Sequence, residues 1–137
     1  MTEAELLKLI EDGENIRVEF KKSTTEITKD VYDTVCSFSN RDGGIILLGV
    51  KDNGEILGVA PDAVDRMKKA FWTSINNGQK ISPPRYLQPE ACTVDGRTLL
   101  VIQVPSGSQV CRHHGRIFDR SHEADIDITD NSDMVYQ

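Results

Sequence analysis

Apolar positions along the chain switch repeatedly between helical and strand spacing. Leu6, Leu7 and Ile10 share one helical face behind Thr2-Glu3-Ala4-Glu5, a capping-box pattern, and predict a short helix ending near Asp12-Gly13. From Ile16 the period falls to two. Ile16, Val18 and Phe20 alternate with Arg17, Glu19 and Lys21, which predicts a half-exposed strand carrying a charged stripe. Ile27, Val31, Val35 and Phe38 return to spacings of three and four, giving a second helix closed by Asn40-Arg41-Asp42-Gly43-Gly44.

Ile45 to Val50 is a continuous apolar run between glycines, as expected of a strand covered on both faces. Asp52-Asn53-Gly54 is a turn signal leading to a further strand at Ile56 to Val59, so this hairpin is the expected centre of the sheet. Pro61 opens a third helix with Val64, Met67, Phe71 and Ile75 on its apolar stripe, closed by Asn77-Gly78. Beyond Ser82-Pro83-Pro84 the pattern is strand: Tyr86 to Val94, Thr98 to Val104, then Gln109 to Arg112 and Arg116 to Arg120 around His114-Gly115. The elements predict an α+β fold, a mixed and mostly antiparallel sheet with about three helices. One domain is expected over 1–122. The segment 123–137 has five acidic residues and no Lys or Arg, and reads as an acidic C-terminal segment, the start of a further region.

With 137 residues, two full domains do not fit. Lys and Arg number 16 against 22 Asp and Glu, and the net charge of -6 excludes a protein that coats nucleic acid or an anionic membrane by bulk charge. The distribution changes that picture. Residues 1–60 hold 7 basic and 12 acidic side chains, 61–122 hold 9 and 5, and the remainder none and 5, so the second segment is where a phosphate backbone could be met. No membrane-length apolar run or secretory leader is present, which points to the cytoplasm. Cys36, Cys92 and Cys111 form no Cys-x-x-Cys and read as reduced structural thiols; Cys111, His113 and His114 lack a spaced fourth ligand. A phosphate-cradling Gly-x-x-x-x-Gly-Lys motif is absent, so ATPase chemistry has no support.

Four blocks in order resemble the Schlafen-type AlbA-like domain of bacterial helicase-related transcriptional regulators. They are Glu14 with Val18-Glu19-Phe20-Lys21; Ser37-Phe38-Ser39-Asn40 leading to Gly43-Gly44; Ile46-Leu47-Leu48-Gly49-Val50 with Asp52 and Gly54; and Gly115-Arg116 with Phe118 and Arg120. The resemblance implies a nucleic-acid-binding α+β domain, here a DNA-binding domain that is non-catalytic on its own and carries no cofactor. DNA is the more expected partner than RNA, a homodimer is the route to a two-lobed groove, and no membrane is involved. Arg17, Lys21, Arg41, Gly43, Gly44, Lys68, Lys69, Arg116 and Arg120 are the candidate nucleic-acid contacts. Gly43 and Gly44 permit close backbone approach, with helix termination as their structural alternative.

The resemblance also implies a rival. In Schlafen proteins with ribonuclease activity, two Glu five apart and a later Asp are implicated, and the matching positions are Glu14, Glu19 and Asp52. Such a trio could hold Mg or Mn for phosphodiester hydrolysis. Against it, Arg17, Glu19 and Lys21 can form a self-neutralising strand surface, Lys51 precedes Asp52 where the family's aspartate can align, and the chain offers one lobe where the Schlafen core has two. A dimerisation module without nucleic-acid affinity is the third reading.

Overall fold

The computed structural model describes residues 1–131. Helix α1 (Glu3–Asp12) begins at the expected capping box: the Thr2 hydroxyl accepts from Glu5 N at 3.1 Å, and the Glu5 carboxylate accepts from Thr2 N at 3.0 Å. There follow β1 (Val18–Lys21), α2 (Lys29–Ser39) and β2 (Gly44–Leu48). A 3-10 turn at Pro61–Ala63 leads into α3 (Val64–Ile75), and then come β3 (Ile81–Ser82), β4 (Glu90–Val94), β5 (Arg97–Val104), β6 (Arg112–His113), β7 (Arg116–Ser121) and β8 (Ala124–Asp127).

Two four-stranded sheets result, ordered β1-β2-β5-β4 and β3-β6-β7-β8. Among the described residues only β1 and β2 run parallel, with α2 as their crossover; every other pairing is antiparallel. The architecture is therefore α+β, mixed and mostly antiparallel, with three α-helices. The first sheet is covered on both faces. Val18, Phe20, Leu47, Leu99 and Val101 pack beneath Leu6 and Ile10 of α1. Ile46, Leu48, Leu100, Ile102 and Val104 point the other way, against Val31, Val35 and Phe38 of α2 and Met67, Phe71 and Ile75 of α3.

One sequence expectation is corrected. Residues 56–59 do not form a strand beside β2; a single bridge joins Val50 to Ile56. The reason is that β1 and β5 already occupy both edges of β2, so Leu57 and Gly58 donate to Gly49 O and Val59 donates to Thr98 O instead. The acidic stretch set apart after residue 122 also contributes to the fold. Its first part is β8, which pairs with β7 through a turn in which His122 has φ +54°. Its carboxylates find cations across that hairpin, Asp125 with Arg120 and Asp127 with Arg116. The rest of the acidic segment, 132–137, lies outside the described residues. Among those described, no helix is long and apolar enough to cross a membrane.

Candidate functional site

Strand β1 places Glu19 and Lys21 on the face toward α2, opposite Val18 and Phe20. That face is not the exposed stripe its alternation suggests, because the second sheet closes over it: Glu19 is 7% exposed and Arg120, reaching in from β7, is 0% exposed. Arg120 Nη2 lies 2.8 Å from Glu19 Oε2, and Nη1 donates to Asp125 Oδ1 at 3.1 Å. Nη2 also donates to the carbonyls of Asn15 and Val18, and the guanidinium stands 4.9 Å over the Phe38 ring. Asp125 is held in turn by the hydroxyls of Thr34 and Ser37, each donating at 2.5 Å. Lys21 Nζ donates to Asp30 at 2.8 Å and lies 3.7 Å from Glu19. Burial opposes the charge on Lys21, but the hydrogen bond to Asp30 and the charge on Glu19 outweigh it and raise its pKa above the ordinary lysine value.

Glu14, on the turn after α1, comes into contact with this cluster. Burial, then the charge of Glu19 and hydrogen bonding with it, then Asp52, push the Glu14 carboxyl up to about 8. The three carboxyls of the sequence analysis therefore meet, with a proton on Glu14 at neutral pH. An open cleft of about 430 Å³ lies alongside, lined by Glu19, Lys21, Lys22, the Ser23–Thr28 loop, Asp30 and Asp52. The donors are hard oxygens, the right chemistry for Mg or Mn. Their arrangement does not fit one: among the described residues, no three Asp, Glu, His or Cys side chains are placed to hold a metal ion. Glu19 instead faces Arg120 and Lys21.

The candidate cations divide sharply. Of the seven in 1–60, five are committed: Lys8 to Asp12, Arg17 to Asp42, Lys21 to Asp30, Arg41 to Asp119 and Lys51 to Glu55. Of the nine in 61–122, only Arg116, which pairs with Asp127 and Asp130, and Arg120 form ion pairs among the described residues. Arg120 has no surface to offer a phosphate, and the bidentate Arg41–Asp119 pair, both contacts at 2.9 Å, would have to open to meet one. Lys68 and Lys69 stand on α3 without an ion pair among the described residues. Gly43 and Gly44 answer to packing: a Cβ on Gly43, whose φ is +81°, would lie 2.5 Å from Val104 O, and one on Gly44 would lie 2.7 Å from the Phe38 ring. Beside them, a cleft of about 440 Å³ is shared with Leu9, Arg17 and Gln103.

Sequence reasoning missed Asp30, Asp125 and the stitching role of Asn40. The Asn40 side chain donates to the carbonyls of Cys111 and Phe118 and accepts from Cys111 N, tying the end of α2 to the second sheet. Cys36 and Cys111 are both buried, and their sulfurs lie 2.7 Å apart.

The model of the family described as Schlafen, AlbA_2 matches residues 14–129, from the Glu14 turn through β8. The chain belongs to the Schlafen AlbA_2 family. Solved structures share this AlbA_2 fold. The DIP2311 protein of Corynebacterium diphtheriae is similar with a TM-score of 0.64 and 17% identity over 90% of this chain, which spans 29% of that protein. The N-terminal domain of an ATP-dependent DNA helicase RecG-related protein from Nitrosomonas europaea is similar with a TM-score of 0.56 and 23% identity, covering 77% of this chain and 74% of that one. No curated protein matches.

Proposed function

We propose that this AlbA_2 domain binds nucleic acid, DNA ahead of RNA, as the cytoplasmic recognition part of a transcriptional regulator, without cleaving its ligand. The observation that carries the reading is the positive charge of 61–122, where among the described residues seven of nine cations form no ion pair, Arg66, Arg85, Arg97 and Arg112 donating to main-chain carbonyls instead. The name of the Nitrosomonas neighbour, a DNA helicase-related protein, supports DNA. Affinity for an oligonucleotide, measured across salt concentrations, tests it. Affinity should fall steeply with salt, and replacing Lys68 and Lys69 together by Gln should reduce the slope by roughly two, one per lost phosphate contact. Arg41→Gln should change it little. Undetectable binding at about 50 mM salt would remove the reading.

The ribonuclease reading draws on the meeting of Glu14, Glu19 and Asp52, and the same preparation tests it. Cleavage of structured RNA that requires Mg or Mn and is lost in Glu19→Gln would replace binding by catalysis as the function. Self-association in light scattering, with no salt-sensitive nucleic-acid affinity, would favour a dimerisation module.

A further inference from the structure

Helix α3 buries Met67, Phe71 and Ile75, which leaves Asp65, Lys68, Lys69 and Trp72 together on its outer face at helical spacing. Over that face passes the segment after β3, bringing Gln88 and Pro89 to form a cleft of about 290 Å³ with those four side chains. Tyr86, on the same segment, is 82% exposed, and Trp72 is 39% exposed. Their ring centroids lie 6.5 Å apart with planes inclined at 50°. The segment is anchored where it leaves the helix, Arg85 N donating to Ile75 O at 3.0 Å, so the position of Tyr86 beside Trp72 is set by main-chain bonding.

We infer that this face binds single-stranded nucleic acid by stacking unpaired bases on Trp72 and Tyr86 while Lys68 and Lys69 meet the backbone. The inference rests on the proposed nucleic-acid function and names the strand state and the surface. Two large aromatics open to water next to two ammonium groups that form no ion pair among the described residues match the composition of a single-strand platform: π faces for any base, cations for the phosphates. A duplex keeps its base faces stacked and would use the lysines alone. The one carboxylate in the cleft, Asp65, sits in the first turn of α3, where the helix N-terminus offsets its charge. Neither aromatic carries the core of the domain, so both are open to substitution.

Trp72 is the single tryptophan of the chain, so its emission reports this cleft alone. Oligo(dT) of about twelve nucleotides, a length within the site sizes of single-strand binders, should quench that emission on titration, and a blunt duplex of equal length should quench it far less. Fluorescence polarisation of labelled oligo(dT) should show Trp72→Ala and Tyr86→Ala each binding at least about tenfold more weakly, with Trp72→Phe retaining most of the affinity. Circular dichroism should show all three variants folded like the wild type. If oligo(dT) binds but the emission is unmoved and Trp72→Ala binds as tightly as wild type, this inference falls and the proposed function stands. If neither oligonucleotide binds at about 50 mM salt, both fall. If Trp72→Ala instead dissociates a dimer and keeps its affinity for oligo(dT), the face joins copies of this chain and the inference is overturned.

Discussion

Glu19 shows how far one residue's setting can depart from its pattern. On a strand with Arg17 and Lys21 as alternating neighbours, its local sequence describes a solvated stripe. Its buried partner, Arg120, is about a hundred residues away, and no spacing rule links them. Position and residue type were legible; burial was not, because it depends on the second sheet closing over β1. The same closure explains Glu14. Its carboxyl, held at about 8, keeps in the folded chain a proton that the unfolded chain releases above about 4.5. The raised folded pKa means that this contribution is fully present below the unfolded pKa and is lost as pH rises toward 8. Glu14→Gln should therefore raise stability only slightly at pH 5, where the loss has just begun, and more at pH 9. Because the side chain is half-buried, the gain is about 1–2 kcal/mol, well below what the whole shift would imply. Thermal unfolding of both proteins at the two pH values checks this, and equal Tm differences at pH 5 and pH 9 would show that Glu14 does not carry the proton.

At the scale of elements, helices were read well because each has its own stripe: Leu6 and Ile10, Val31 and Phe38, Met67 and Ile75 recur at helical spacing whatever they pack against. Strand pairing was read less well. The run Ile45 to Val50 is the central strand expected, but its partners were assigned from the nearest turn, whereas β1 returns through α2 and β5 arrives from fifty residues downstream. The two glycines between α2 and β2 mark how closely these pieces meet. Gly43 must hold a left-handed backbone with Val104 O at the position a methyl group would fill, and Gly44 lies against Phe38 and the Arg17 carbonyl. Gly43→Ala combines backbone strain with a clash against main chain and should cost at least about 2 kcal/mol. Denaturant unfolding measures it. Unaltered stability with weakened nucleic-acid binding would instead restore Gly43 as a direct contact.

At the scale of the molecule, the second sheet is tied to the first by one buried arginine, and the acidic segment supplies part of that tie. A chain ended after His122 loses β8 and Asp125, leaving Arg120 with half its counter-charge and β7 paired only with the two residues of β6. Such a chain should be less stable by about 3 kcal/mol or more, the range for removing one partner of a buried ion pair, and retention of the full-length Tm would place the domain boundary at 122 after all. Arg120 has one more effect, on assembly. The outer edge of β1 is a row of main-chain groups of the kind that recruits a strand from another molecule, and Arg120 already occupies it by donating to Val18 O and Asn15 O. The opposite margin of the same sheet is β4, whose Glu90, Ala91 and Thr93 are exposed. The two margins of this sheet therefore differ: at β1 the Val18 carbonyl is covered by the fold's own arginine, and at β4 those side chains face water.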